Sequence, residues 1–169
     1  MKDWVRLLEL LPPPGLAIGD PQTQAVAPLK DLTNNLALLG GPIQDKQAAL
    51  ACLSALWLRF DHFDKAHSIC QDLDTQDGSY WHGIAHRREG DFGNACYWFR
   101  RAGTHPVQNA LSDGLKDIKE VLEGAQFSPT AFTRMVERGG KESTMLEIQE
   151  LEWRALFQDC MGRALGRAT

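Results

Sequence analysis

The sequence predicts an all-α protein, and three observations lead there. Apolar residues recur every three or four positions along most of the 169-residue chain, which is the period of a helix face. Helix stops recur between those stretches: Pro12, Pro13 and Pro14, then Gly40, Gly41 and Pro42, then Gly139 and Gly140. No stretch alternates apolar and polar residues while concentrating Val, Ile and Thr, so no sheet is expected.

Trp4, Leu7, Leu8 and Leu11 share one face of a short amphipathic helix that the three prolines end. Gly15 to Thr23 holds Gly, Pro and Asp without apolar period and reads as a loop. A second helix is expected from about Val26 to Leu39, and two helical hairpins from Asp45 to Pro106. Beyond them Leu111, Leu115, Ile118 and Leu122 fall on one face, which predicts a helix over Val107 to Leu122. Ser128 before Pro129 is an N-cap and first-turn pair, so another helix should run from Pro129 to about Arg138. The last helix, Glu142 to about Leu165, carries too many apolar residues for one stripe. Its solvated edge is left to Glu150 with Arg154 and Asp159 with Arg163, i,i+4 pairs worth about 0.2 to 0.5 kcal/mol each. Trp153, Phe157 and Leu165 are expected to bury against the hairpins, whose apolar end would otherwise stay open.

Laying Ala49 to Leu73 over Gly78 to Ala102 aligns two copies at an offset of 29. Ser54 falls on Gly83, Asp61 on Gly90, Phe63 on Phe92, Ala66 on Ala95 and Leu73 on Ala102. Each copy thus supplies a small residue for a close helix crossing, a turn, an aromatic at the start of the second helix and an alanine where the helices meet. This pattern resembles the tetratricopeptide repeat, most closely through Gly83, Gly90, Phe92, Ala95, Phe99 and Ala102, although the offset is shorter than that family's 34-residue period. The resemblance implies a short solenoid of hairpins, capped by the N-terminal helices and the long C-terminal one. It also implies a concave groove lined by the first helices: Ala48, Ala51, Ala55, Leu58 and Arg59, then Asp77, Tyr80, Ile84, Arg87 and Arg88. Such a groove would take an extended protein or peptide segment carrying acidic residues. The stretches WHGIAHRREGDF and YWFRR, with FSPTAF and IQELEWRALF further on, are similar to a set of bacterial and fungal proteins whose resemblance adds no chemistry.

Composition bounds the remaining choices. A chain of this length with 43% hydrophobic residues fits a single domain, over residues 1–169, burying about 70% of its unfolded surface. The net charge of −4 lacks the basic footprint of a duplex-DNA binder. The segment from Gly78 to Pro106 is locally +2, with four arginines against Glu89 and Asp91. Cys52, Cys70, Cys96 and Cys160 are far apart, form no CxxC pair and lie in helical patterns, so reduced thiols and a cytoplasmic protein are expected. No apolar run approaches the roughly 20 residues that span a bilayer. Association with a second copy of the chain is an alternative to a foreign partner.

Chemistry concentrates in one stretch. His82 and His86 are spaced i,i+4, with Glu89 one turn on, so the three could offer two nitrogens and an oxygen to zinc or another divalent ion, and His105 could supply a fourth ligand. The competing reading makes them hairpin-core histidines bonded to neighbours. Arg87 with Arg88, and Arg100 with Arg101, could hold an anion or merely pair with Glu89 and Asp91. Tyr80, Trp81, Tyr97 and Trp98 read as hairpin packing, and no nucleophile or phosphate-loop motif is present. The leading expectation is therefore a non-enzymatic repeat module without cofactor. The alternative is a metal-dependent enzyme using His82, His86 and Glu89, with arginines orienting an anionic substrate.

Overall fold

The computed structural model describes residues 3–167. They form an all-α fold of nine α-helices: α1 (Asp3–Leu10), α2 (Val26–Asn34), α3 (Lys46–Arg59), α4 (Phe63–Gln71), α5 (Gln76–Glu89), α6 (Phe92–Ala102), α7 (Pro106–Leu115), α8 (Pro129–Glu137) and α9 (Glu142–Ala164). No helix among the described residues is long and apolar enough to cross a membrane.

Helices α3 with α4 and α5 with α6 pack as two hairpins, at positions related by the offset of 29. Their turns share a residue of positive φ. Gly90 has φ +89°, and Asp61, at the aligned position, is the one described non-glycine residue with positive φ, at +61°. Aspartate tolerates that left-handed region better than most residues, and here its carboxylate accepts from Gly19 N–H at 3.1 Å and from Arg88 at 2.5 Å. The crossing points differ in chemistry. Ser54 donates its hydroxyl to the Ala66 carbonyl (2.8 Å), whereas a Cβ on Gly83 would lie 2.7 Å from the Phe99 ring.

Two predicted helices are shorter than the spacing suggests. The helix expected to reach Leu39 stops at Asn34, because Asn35 turns extended (φ −144°) and its side chain accepts from the Ala37 N–H, starting a 3₁₀ turn over Leu36–Leu39. The helix expected to reach Leu122 stops at Leu115. A 3₁₀ turn (Lys119–Val121) and a two-residue antiparallel ribbon, β1 (Leu122–Glu123) with β2 (Gln126–Phe127), follow in place of the expected absence of sheet. Burial of Val121 and Phe127 outweighs the helical period there, and the Ser112 hydroxyl ties the ribbon to α7 by accepting from Phe127 N–H at 2.9 Å.

Helix α9 packs lengthwise on α3 and α7. Trp153 and Phe157 stack at 4.7 Å and are buried, Trp153 donates Nε1–H to the Ala55 carbonyl (3.2 Å), and Leu165 is half-buried. Leu156 and Cys160 on the same helix are fully covered, so α9 belongs to the core rather than to a detachable cap.

Candidate functional site

Every residue from Asp77 to Arg88 of α5 is buried, although the helix is rich in charged and polar side chains. Burying polar groups is costly unless they are partnered, so α5 has to be read through its partners.

One face meets α9. Arg87 forms an ion pair with Glu152, which is fully buried and also accepts from the Tyr80 hydroxyl at 3.0 Å. The Arg87 guanidinium sits 4.4 Å from the Phe132 ring centre. Burial and the negative charge of Glu152 together push the Tyr80 phenol well up. Further along, Asp77 accepts from Arg163 (2.6 and 2.8 Å) and from His105 Nε2–H (2.9 Å). The second face meets the end of α3 and the N-terminal segment, where Arg88 donates to the carbonyls of Leu58 (2.7 Å) and Ala17 (3.1 Å) besides pairing with Asp61.

These contacts correct the predicted groove. Ala48, Ala51, Ala55, Leu58, Arg59, Asp77, Tyr80, Ile84, Arg87 and Arg88 are all buried. α9 covers them with Glu150 3.6 Å from Arg59, Glu152 on Arg87, and Arg163 on Asp77. For Arg59 and Arg87 the acidic helical segment is the chain's own last helix, for Arg88 the acid is Asp61, and an external ligand does not reach them in this fold. Arg101 lies at the surface, paired with Asp74 and stacked over Trp98.

The third face of α5 meets α4 and α6 and carries His82 and His86. They are joined by His67 of α4, a residue the sequence reading did not single out. One ring nitrogen from each of the three lies within 4.8 Å of the other two. His82 Nε2 and His67 Nε2 are 2.8 Å apart, and His82 stacks on Trp98 at 4.0 Å. The Asn94 amide donates to His86 Nε2 at 3.0 Å, so the opposite ring nitrogen carries the hydrogen and His86 Nδ1–H donates to Glu89 Oε2 at 2.9 Å. His82 Nδ1 is buried without a hydrogen-bond partner. Burial, with repulsion from His67 and His86, pushes His82 down to about 3, and burial with the charge of His86 lowers His67 as well.

Two of the predicted metal ligands thus need correction. Glu89 is bonded to His86 Nδ1, the nitrogen that carries the hydrogen, and it is not among the three residues whose ligand atoms converge. His105 is engaged elsewhere: its Nδ1 accepts from Val107 N–H at 3.2 Å and its Nε2 side faces Asp77. His67 was hidden because it lies 15 positions before His82, on a different hairpin, and only the packing of α4 on α5 brings them together. Glu152 left a clearer sign, an acid between Leu151 and Trp153 in a helix apolar on nearly every side.

Comparisons with protein-family models, with curated proteins and with solved structures find no match for the chain.

Proposed function

We propose that the chain is a helical-hairpin protein that holds one divalent transition-metal cation, of the zinc class, on His67, His82 and His86. The convergence of three imidazoles from two hairpins carries this reading. Neutral imidazole suits zinc, copper or nickel and not magnesium or calcium, and the lowered His67 and His82 keep their lone pairs available at neutral pH. Glu89 on the Nδ1–H of His86 is the kind of carboxylate–histidine support that fixes a ligand's tautomer. Two nitrogens on one tetrahedral zinc stand about 3.3 Å apart, so the His67–His82 pair need open by only about half an ångström. Three protein ligands leave a coordination position free, so the metal-dependent enzyme alternative uses the same site with His67 in place of Glu89.

Titration calorimetry with zinc chloride tests the proposal. One zinc should bind per chain, His67→Ala, His82→Ala and His86→Ala should each lose it, and Glu89→Ala should weaken it by about 10- to 100-fold. No binding, or binding unchanged by His67→Ala, rejects the reading.

A second reading keeps the protein-partner function implied by the repeat resemblance and moves it to a cleft of about 640 Å³ between α7 and α9, lined by Pro106, Val107, Ala110, Phe157, Met161 and Arg167. Ala110 is exposed, so Ala110→Glu should abolish capture of a partner there without disturbing the fold. Unchanged capture would rule the cleft out.

A further inference from the structure

We propose that the fourth position of a cation on His67, His82 and His86 takes a small oxygen anion, and that Asn94 is the residue that positions it. This rests on the metal reading above and adds to it the class of ligand and the donor that selects it.

The argument starts from Asn94 and His86. The Asn94 side-chain nitrogen has only hydrogens to offer, and it spends one on His86 Nε2 at 3.0 Å. Glu89 holds the hydrogen of His86 on Nδ1, so Nε2 is the only nitrogen of that ring with a lone pair for a metal. A cation on Nε2 displaces the Asn94 hydrogen from its acceptor. The amide is then a donor left beside the coordination sphere, within hydrogen-bond reach of whatever occupies the next position. A donor at that place favours an oxygen ligand that accepts, and three neutral imidazoles put no negative charge in the cation's own ligand set, which favours an anion.

Access agrees with this. His82 and His86 are buried, with Trp98 stacked on His82, whereas His67 and Asn94 are half-buried. The partly exposed residues around the cluster are therefore His67, Asn94 and Trp98, and Asn94 is the hydrogen-bond donor among them that a small anion would meet. The neighbouring Glu89 carboxylate is committed to His86 and is not available as that anion. Asn94 is held in place independently of its side chain, because its backbone N–H is capped by Asp91 at 3.1 Å, so substitution leaves the start of α6 intact.

The experiment uses the full chain loaded with cobalt(II), whose visible absorption reports its ligands, titrated with sodium acetate. Acetate should shift the cobalt bands of the unmodified protein. Asn94→Ala should bind acetate about tenfold more weakly or worse, with cobalt affinity retained, since a hydrogen bond to a charged group is lost. Asn94→Asp should split the two affinities, binding cobalt more tightly and acetate less, a divergence that a merely structural role for Asn94 would not produce. Bands indifferent to acetate would show the position closed, for instance by Asp64 one turn before His67, and would overturn the proposal while leaving the metal site standing. Equal acetate affinity in all three proteins would remove Asn94 from it. Failure of cobalt to bind at all would instead refute the metal reading on which it rests.

Discussion

Glu152→Gln separates a filled groove from an open one. Glu152 is fully buried and receives Arg87 and the Tyr80 hydroxyl, while Arg87 is itself buried between the rings of Phe132 and Phe99. Glutamine keeps the shape but removes the charge, and it turns one acceptor into a donor facing a guanidinium. The buried cation then has neither water nor counter-charge, a situation that costs about 3 to 5 kcal/mol. That is a large part of the 5 to 15 kcal/mol typical of a whole domain. Arg87→Met should cost a similar amount by stranding Glu152. The double variant Arg87→Met with Glu152→Leu should lose much less than the sum, about 1 to 3 kcal/mol, mainly for the Tyr80 hydroxyl left without its acceptor. Urea unfolding at neutral pH, followed by circular dichroism, gives all four corners of the cycle. Single losses below about 1 kcal/mol that simply add would mean that α9 is not seated on α5 and that the arginines face solvent. The same logic applies to Arg87→Glu with Arg88→Glu, harmless for an open groove. Here it sets carboxylates against Glu152 and Asp61, and no folded protein should be recovered.

Three glycines in helices should respond differently to one added methyl group. Gly78→Ala meets the Leu73 backbone carbonyl at 2.3 Å and should be the most damaging, Gly83→Ala meets the Phe99 ring at 2.7 Å and should cost about 1 to 2 kcal/mol, and Gly114→Ala meets nothing and should stabilise by about 0.5 to 1 kcal/mol, all read from urea midpoints. The reverse order would mean that the crossing of α5 with α6 is looser than described. Asp61→Gly removes a left-handed strain of about 1 kcal/mol but strands Arg88, so it should destabilise on balance, with Asp61→Asn intermediate. For Asp77, burial alone would raise the carboxyl, but the hydrogen bonds from His105 and Arg163 outweigh it and hold the group at about 2. A depressed carboxylate stabilises fully above its unfolded value of about 3.9 and loses that contribution as pH falls from there toward about 2. Asp77→Asn should therefore be less stable at neutral pH and lose less stability across that acid window, and identical acid profiles would refute the assignment.

The hairpins were legible because their signals are local: a turn, a small crossing residue and an alanine fall at fixed spacings. The long last helix was legible from its apolar excess. What the sequence concealed depends on which buried polar groups find each other across the fold. Arg87 and Arg88 read as a cationic groove because nothing at their own positions announces Glu152, 65 residues away, or Asp61 across the hairpin joint. His82 and His86 stand out by their spacing, yet Glu89 reads as a candidate ligand beside them because i,i+3 proximity does not say which ring nitrogen it meets. The helix ends that moved, at Asn35 and after Leu115, were decided by a side-chain cap and by burial of Val121 and Phe127 rather than by periodicity.

A cation on the three histidines would also change the mechanics of the fold, because the ligands are divided between hairpins. His67 belongs to α4 and His82 with His86 to α5, so the metal would add a cross-link between two units already joined by packing of α3 and α4 on α5 and by Arg88 on Asp61 and the Leu58 carbonyl. A ligand that binds the folded chain alone stabilises it by about 2.7 kcal/mol when present at a hundred times its dissociation constant. For a chain of this size that is a rise of about 5 to 10 °C in the thermal midpoint. Zinc at that excess should produce this rise in the unmodified protein, and a chelator should reverse it. His67→Ala should abolish the rise, because the two histidines left lie on a single helix and can no longer connect the hairpins. A rise of equal size in His67→Ala would place the zinc elsewhere on the chain. Calorimetric binding without any rise would mean that the metal holds the unfolded chain as well as the folded one, and the seam between the hairpins would then not be what it clamps.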